Sequence, residues 1–168
     1  MAWKALHWVD GPWPGKLALA ARPRGDDWLT DDLAVWRDAG VDTVLSLLEP
    51  IEEQDLGLQS EAQEVKRQSM QFLSLPIADR QVPNSESELR ATLERLDSDL
   101  SSGKNVLVHC RQGIGRTGLV ASCLLITKGL SPGAAVATVA AARGISIPDT
   151  SQQRDWIDHY AATLTGAK

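Results

Sequence analysis

Apolar positions along the chain alternate between two kinds of block. Short, largely apolar runs that read as strands fall at 16–21, in the second half of 41–48, at 72–77 and at 106–110. Strands covered on both sides of a parallel sheet read this way. Between them, apolar residues recur every three or four positions, the stripe of an amphipathic helix. Leu29, Leu33 and Trp36 form one such face, with Thr30 as the expected N-cap and Gly40 beyond the end. Leu89, Leu93, Leu96 and Leu100 form another, opened by the capping box Ser85-Glu-Ser-Glu88 and closed by Gly103. A short helix is expected over 61–68, whereas 49–60 reads as acidic and irregular. Residues 119–126 are almost wholly apolar and predict a buried helix. Ser131-Pro132 caps and opens a small-residue helix over 133–142, and Asp149, Thr150 or Ser151 caps a last one through Trp156, Ile157 and Tyr160. Residues 1–16 carry Trp3, Trp8 and Trp13 among Gly11, Pro12, Pro14 and Gly15. That density of proline and glycine predicts a turn-rich lead-in without helix or strand, its tryptophans covering the core.

Strands alternating with helices predict an α/β fold: a central, mainly parallel sheet flanked by helices on both sides. Ligands then bind outside the carboxyl ends of the strands. The 168 residues fit one domain spanning 1–168. A hydrophobic fraction of 43% and a charged fraction of 23% are ordinary for a soluble globular protein. The net charge of −5 offers no basic footprint to nucleic acid or to an anionic membrane. No apolar run approaches the ~20 residues that span a bilayer. The opening Met-Ala-Trp-Lys-Ala-Leu-His lacks a secretory core, and two cysteines make no disulfide framework. A cytoplasmic monomer in a reducing setting is the expectation.

The chemistry concentrates in Val106-Leu-Val-His-Cys-Arg-Gln-Gly-Ile-Gly-Arg-Thr-Gly118. It reads as a buried strand, a phosphate-binding loop and the start of a buried helix. Such a turn points backbone N–H groups into one concavity with the positive end of a helix dipole behind them. The same field stabilises a thiolate, which makes Cys110 a nucleophile aimed at phosphorus. Arg111, Gln112, Gly113, Ile114, Gly115 and Arg116 supply the cradle, and the planar fork of Arg116 meets two phosphoryl oxygens at once. A leaving alkoxide also needs a proton. Asp79, directly after a predicted strand and bounded by Pro76 and Pro83, is the best placed donor, with Asp55 and Asp149 as competitors. Thr117 can donate to the sulfur or cap the helix. His109 points to the other face of its strand, which fits an orienting role toward the backbone at Cys110. His7 and His159 read as surface residues and Cys123 as core. No metal and no cofactor are expected.

The run His109-Cys110-x5-Arg116-Thr117 resembles the active-site motif of the cysteine-dependent protein tyrosine phosphatase superfamily. The chain is most similar to its small dual-specificity members, and Pro76-Ile-Ala-Asp79…Pro83 resembles the general-acid loop of the kinase-associated branch. The resemblance covers about 17–160. It implies Cys110 as nucleophile, Arg116 as phosphate binder, Asp79 as general acid and Thr117 as the residue assisting thiolate departure. Large tyrosine-specific members also position the hydrolytic water with a glutamine followed three residues later by an aromatic. Gln153-Arg-Asp-Trp156 has that form, so Gln153 is implied, with Gln152 second. The implied activity is hydrolysis of phosphate on protein tyrosine and on serine or threonine, with a phosphorylated protein as partner. Alternatives are a phosphate-binding adaptor, a sulfur-transfer enzyme, or a phosphatase for phosphoinositide or RNA 5′-triphosphate.

Overall fold

The computed structural model describes residues 5–166. Its strands are β1 (His7–Val9), β2 (Leu17–Ala21), β3 (Thr43–Ser46), β4 (Gln71–Ser74) and β5 (Val106–Cys110). They form one sheet in the order β1-β2-β5-β3-β4. Only β1 runs antiparallel, pairing with β2; the other neighbours are parallel. The helices are α1 (Leu29–Asp38), α2 (Pro50–Asp55), α3 (Glu61–Arg67), α4 (Glu86–Ser101), α5 (Gly115–Thr127), α6 (Pro132–Arg143) and α7 (Ser151–Gly166).

Side-chain alternation divides the interior into two cores. Leu17, Leu19, Leu45, Val106, Val108 and Cys110 meet α4, α5, α6 and α7 on one face of the sheet. Ala18, Ala20, Val44 and Leu107 meet α1 and α3 on the other. The four leucines of α4 are between 0% and 2% exposed. Burying each contributes about 1.5–3 kcal/mol, against about 1 kcal/mol for the Ser85 cap, so packing holds this helix and the cap trims its end. Ser85 Oγ accepts from the Glu88 N–H at 3.2 Å. The cap at Ser131 is also made, its Oγ accepting from the Ala134 N–H. For α7 the capping side chain is that of Thr150, which accepts from the Gln153 N–H at 3.0 Å.

Three local expectations are corrected. The lead-in 1–16 contains a strand: β1 lies ahead of the cluster that begins at Gly11, where nothing hinders pairing with β2. Trp13 is buried and donates its indole N–H to Asp97 (2.8 Å), but Trp8 is 38% exposed and covers little; Trp3 lies outside the described residues. Segment 49–60 holds α2, with Pro50 in its first turn and Glu52 Oε1 accepting from the Glu49 N–H. Thr30 is not the cap of α1. A 3-10 turn at Asp26–Trp28 feeds the helix, which leaves Thr30 in its first turn, donating to Glu64 across to α3.

Candidate active site

β5 delivers Cys110 to the carboxyl edge of the sheet, where the chain turns into α5. Gly113 sits at φ +73°, and a Cβ there would stand 2.5 Å from the Ala20 carbonyl oxygen. Both the left-handed backbone and the approach to β2 require glycine. The loop carbonyls are held from outside. Arg111 O accepts from the Arg22 N–H (3.3 Å), Gln112 O from Arg143 Nη2 (3.1 Å) and Gly113 O from Arg143 Nε (3.1 Å). Because a trans peptide points its C=O and N–H in opposite directions, the N–H groups of Gln112, Gly113 and Ile114 turn inward. The Gly113 N–H indeed donates to Cys110 Sγ at 3.3 Å. In α5 the Gly118 N–H reaches back to Ile114 O, while those of Gly115, Arg116 and Thr117 have no intrahelical partner.

A cavity of about 250 Å³ opens over this loop. Cys110, Arg111, Gln112, Gly115 and Arg116 line it from the loop, Asp79 and Arg80 from the segment after β4, and Asp149 from the segment before α7. The structure therefore brings together Cys110, Asp79 and most of the predicted cradle. Gly113 and Ile114 stand outside the cavity wall, the latter packing toward the core.

Arg116 is 2% exposed, and both of its Nη groups are engaged. Nη1 donates to Glu52 Oε1 (2.6 Å) and Ile77 O (2.8 Å); Nη2 donates to Glu52 Oε2 (2.9 Å) and Asp79 Oδ1 (3.2 Å). Burial works against the charged form of Glu52, but hydrogen bonds from Arg116 and the Glu49 backbone hold its carboxyl below the ordinary range. Burial likewise opposes the charge on Arg116, and the neighbouring Glu52, Cys110 and Asp79 keep it firmly protonated.

The remaining predicted residues divide. His109 is fully buried against the Trp36 ring (5.7 Å), with Nδ1 3.3 Å from Cys110 O and Nε2 2.6 Å from Glu61 Oε2. Thr117 Oγ1 is buried with no hydrogen-bond partner among the described residues, so neither the expected bond to sulfur nor a capping bond is made here. Gln153 does not face the cavity. Its Oε1 accepts from the N–H groups of Asp149 (3.2 Å) and Thr150 (3.3 Å), and its Nε2 donates to Gln81 O (3.0 Å). It ties the start of α7 to the segment carrying Asp79, while Gln152 is exposed. Asp55 is exposed at the end of α2, away from the cavity wall. Cys123 is fully buried in α5, and burial pushes its thiol up. His7 is half-buried rather than a free surface residue: burial and the nearby Arg143 hold its imidazole below the ordinary range.

Glu52, Arg80, Arg143 and the cavity position of Asp149 escaped the sequence reading. Glu52 had a usable signal, since Glu49-Pro50-x-Glu52 carries proline at N1 and a carboxylate at N3 of a short helix. A lone arginine at a helix end such as Arg143 has none.

Together the fold and this thiol–guanidinium loop define a cysteine phosphatase architecture. A family model described as "polymorphic toxin system, DSP-PTPase phosphatase" matches residues 18–130, more than half of the chain, and the chain belongs to that family. It is 32% identical to human cyclin-dependent kinase inhibitor 3 over 53% of its own length and 42% of that protein's. The rat protein of the same name aligns over 35% of its length, so the chain spans well under half of the curated relatives it matches. Among solved structures, kinase associated phosphatase superposes with a TM-score of 0.84 over 96% of both chains at 19% identity, a likeness of fold. Tk-PTP in its active form superposes at 0.77, covering 95% of this chain and 98% of that one at 25% identity.

Proposed function

We propose that this chain hydrolyses phosphate monoesters on protein tyrosine, and on serine or threonine, through a cysteinyl-phosphate intermediate. The observation that carries the reading is the convergence of Cys110, Arg116 and Asp79 on one cavity, with Arg116 bonded to Asp79 at 3.2 Å. In the first step the Cys110 thiolate attacks phosphorus in line with the leaving oxygen. The inward N–H groups of the loop and of the first turn of α5 hold the equatorial oxygens, and Arg116 adds its charge. Asp79, 56% exposed at its side chain, delivers a proton to the departing alkoxide or phenoxide. In the second step water displaces the thiolate. The presence of a carboxylic acid beside the thiol supports turnover over a phosphate-binding adaptor, which needs no acid.

A phosphorylated protein as substrate, with kinases among the candidates, draws support from the names of the curated relatives and of kinase associated phosphatase. No described helix is long and apolar enough to cross a membrane. A reducing compartment such as the cytoplasm suits an enzyme whose nucleophile is a free thiol. Cys110→Ser should abolish release of phosphate from an aryl phosphate and from phosphopeptides, yet still bind vanadate. Undiminished turnover by that variant would sink the proposal.

A further inference from the structure

The turn that presents Asp79 to the cavity also presents Arg80. The Gln81 N–H donates to Ala78 O at 2.9 Å, closing a turn with Asp79 and Arg80 at its two central positions. Arg80 has φ +62°, the left-handed region that glycine or asparagine ordinarily fills at such a place. A residue with a Cβ is strained there. The turn is braced on both sides: Ile77 O accepts from Arg116 Nη1, and Gln81 O accepts from the buried Gln153. The chain therefore holds an arginine firmly where the backbone alone would favour glycine.

Three arginines line the cavity. Arg116 is paired with Glu52 and Asp79, and Arg111 with Glu52 at 3.4 Å. Among the described residues, Arg80 is the one of the three that makes no hydrogen bond or ion pair, and it is exposed. Asp149 also lines the cavity, but its carboxylate stands over Gly115 and forms no ion pair with Arg80. Position decides what Arg80 can meet. The scissile phosphate is served by the loop N–H groups and by Arg116. Asp79 gives its proton to the leaving oxygen, so the turn that carries it faces the leaving group, which is the peptide.

We propose that Arg80 selects peptides carrying an acidic group, a carboxylate or a second phosphate, beside the phosphorylated residue; this rests on the phosphatase reading above. The guanidinium offers two parallel N–H groups to two oxygens of either anion. The contact lies outside the bonds that form and break, so Arg80 governs which peptide is taken rather than how the ester is cleaved. A chain of net charge −5 repels an acidic peptide at long range, so the selection depends on this short-range contact.

The test measures kcat and KM, by tyrosine fluorescence, on phosphotyrosine peptides that differ only in the flanking residues: Asp, phosphoserine, Ala or Lys. The unmodified chain should favour Asp over Ala by about fivefold in kcat/KM, the scale of one partly exposed ion pair, with most of the gain in KM. Phosphoserine should gain more than Asp, and Lys should fall below Ala. Arg80→Gly suits the turn and removes the charge, so it should fold and lose the preference. Arg80→Glu should invert the preference toward Lys. In a Cys110→Ser background the same order should appear in peptide Kd. An unmodified chain that turns over every peptide alike would overturn the assignment. So would a preference that survives in Arg80→Gly. An equal loss by that variant on all peptides and on a small aryl phosphate would also overturn it, placing Arg80 on the scissile phosphate. An Arg80-dependent gain on an inositol bisphosphate, with none on any peptide, would overturn the peptide as substrate. Absence of turnover on every phosphate would instead remove the phosphatase reading, and the proposal with it.

Discussion

Arg116 is a buried cation whose charge is compensated chiefly by Glu52, in a two-point fork at 2.6 and 2.9 Å. Removing one member of such a pair strands the other, which costs about 3–5 kcal/mol. Glu52→Ala should lose that much in urea denaturation, and Glu52→Gln less, since the amide oxygen still accepts a hydrogen bond. The pH dependence has a definite sign. A carboxyl held below its ordinary value of 4.5 adds stability that is complete above that value and lost as pH falls through the lower folded value. Tm of the parent should drop on acidification below about 4.5 more steeply than Tm of Glu52→Gln. Asp79 is tested by leaving groups rather than stability. Asp79→Asn should slow hydrolysis of an alkyl phosphate by about 10²–10⁴, and should barely affect an aryl ester whose phenolate leaves without a proton.

At the scale of elements, the loop owes its shape to β2 and α6 as much as to its own sequence. Arg143, the last residue of α6, donates to two successive loop carbonyls. Arg143→Ala should raise KM for a phosphopeptide more than it lowers kcat, because it frees the peptides whose N–H groups face the phosphate. Lys should not rescue it, since one ammonium does not match two carbonyls as the guanidinium fork does. These contacts also explain what could be seen in the sequence and what could not. The strand–loop–helix around Cys110 was legible because its signals are local: β-branched residues, then glycines, then an apolar run. The parallel sheet was legible from the apolar blocks at 16–21 and 106–110. β1 escapes because three residues of an edge strand carry too little pattern, and α2 because three further acidic residues, Glu49, Glu53 and Asp55, mask its Pro50 and Glu52. Gln153 was assigned from a spacing shared with relatives. A spacing specifies which residues share a helix face but not whether that face meets the cavity or the backbone of the next loop. Arg143 and Glu52 act across the tertiary structure, 30 and 64 residues from their partners, where no sequence window reaches.

On the scale of the whole molecule, the two cores share β2, β3 and β5, so neither can melt without exposing the other face of the same strands. A single cooperative transition is expected. Trp13 and Trp36 lie in different cores, and chains retaining one or the other should report the same urea midpoint by fluorescence. Distinct midpoints would show the cores to be separable. The cysteine pair turns this coupling into an assay. Cys110 borders the cavity, whereas Cys123 is sealed within α5 with its thiol pushed up by burial. A small alkylating reagent should thus count functional sites in its fast, stoichiometric phase, blocked by vanadate. Its slow phase, at Cys123, would clock how often the native chain opens altogether. One pair of sulfur atoms, one at the cavity and one sealed in the helix behind it, makes the protein its own reporter of occupancy and of lifetime.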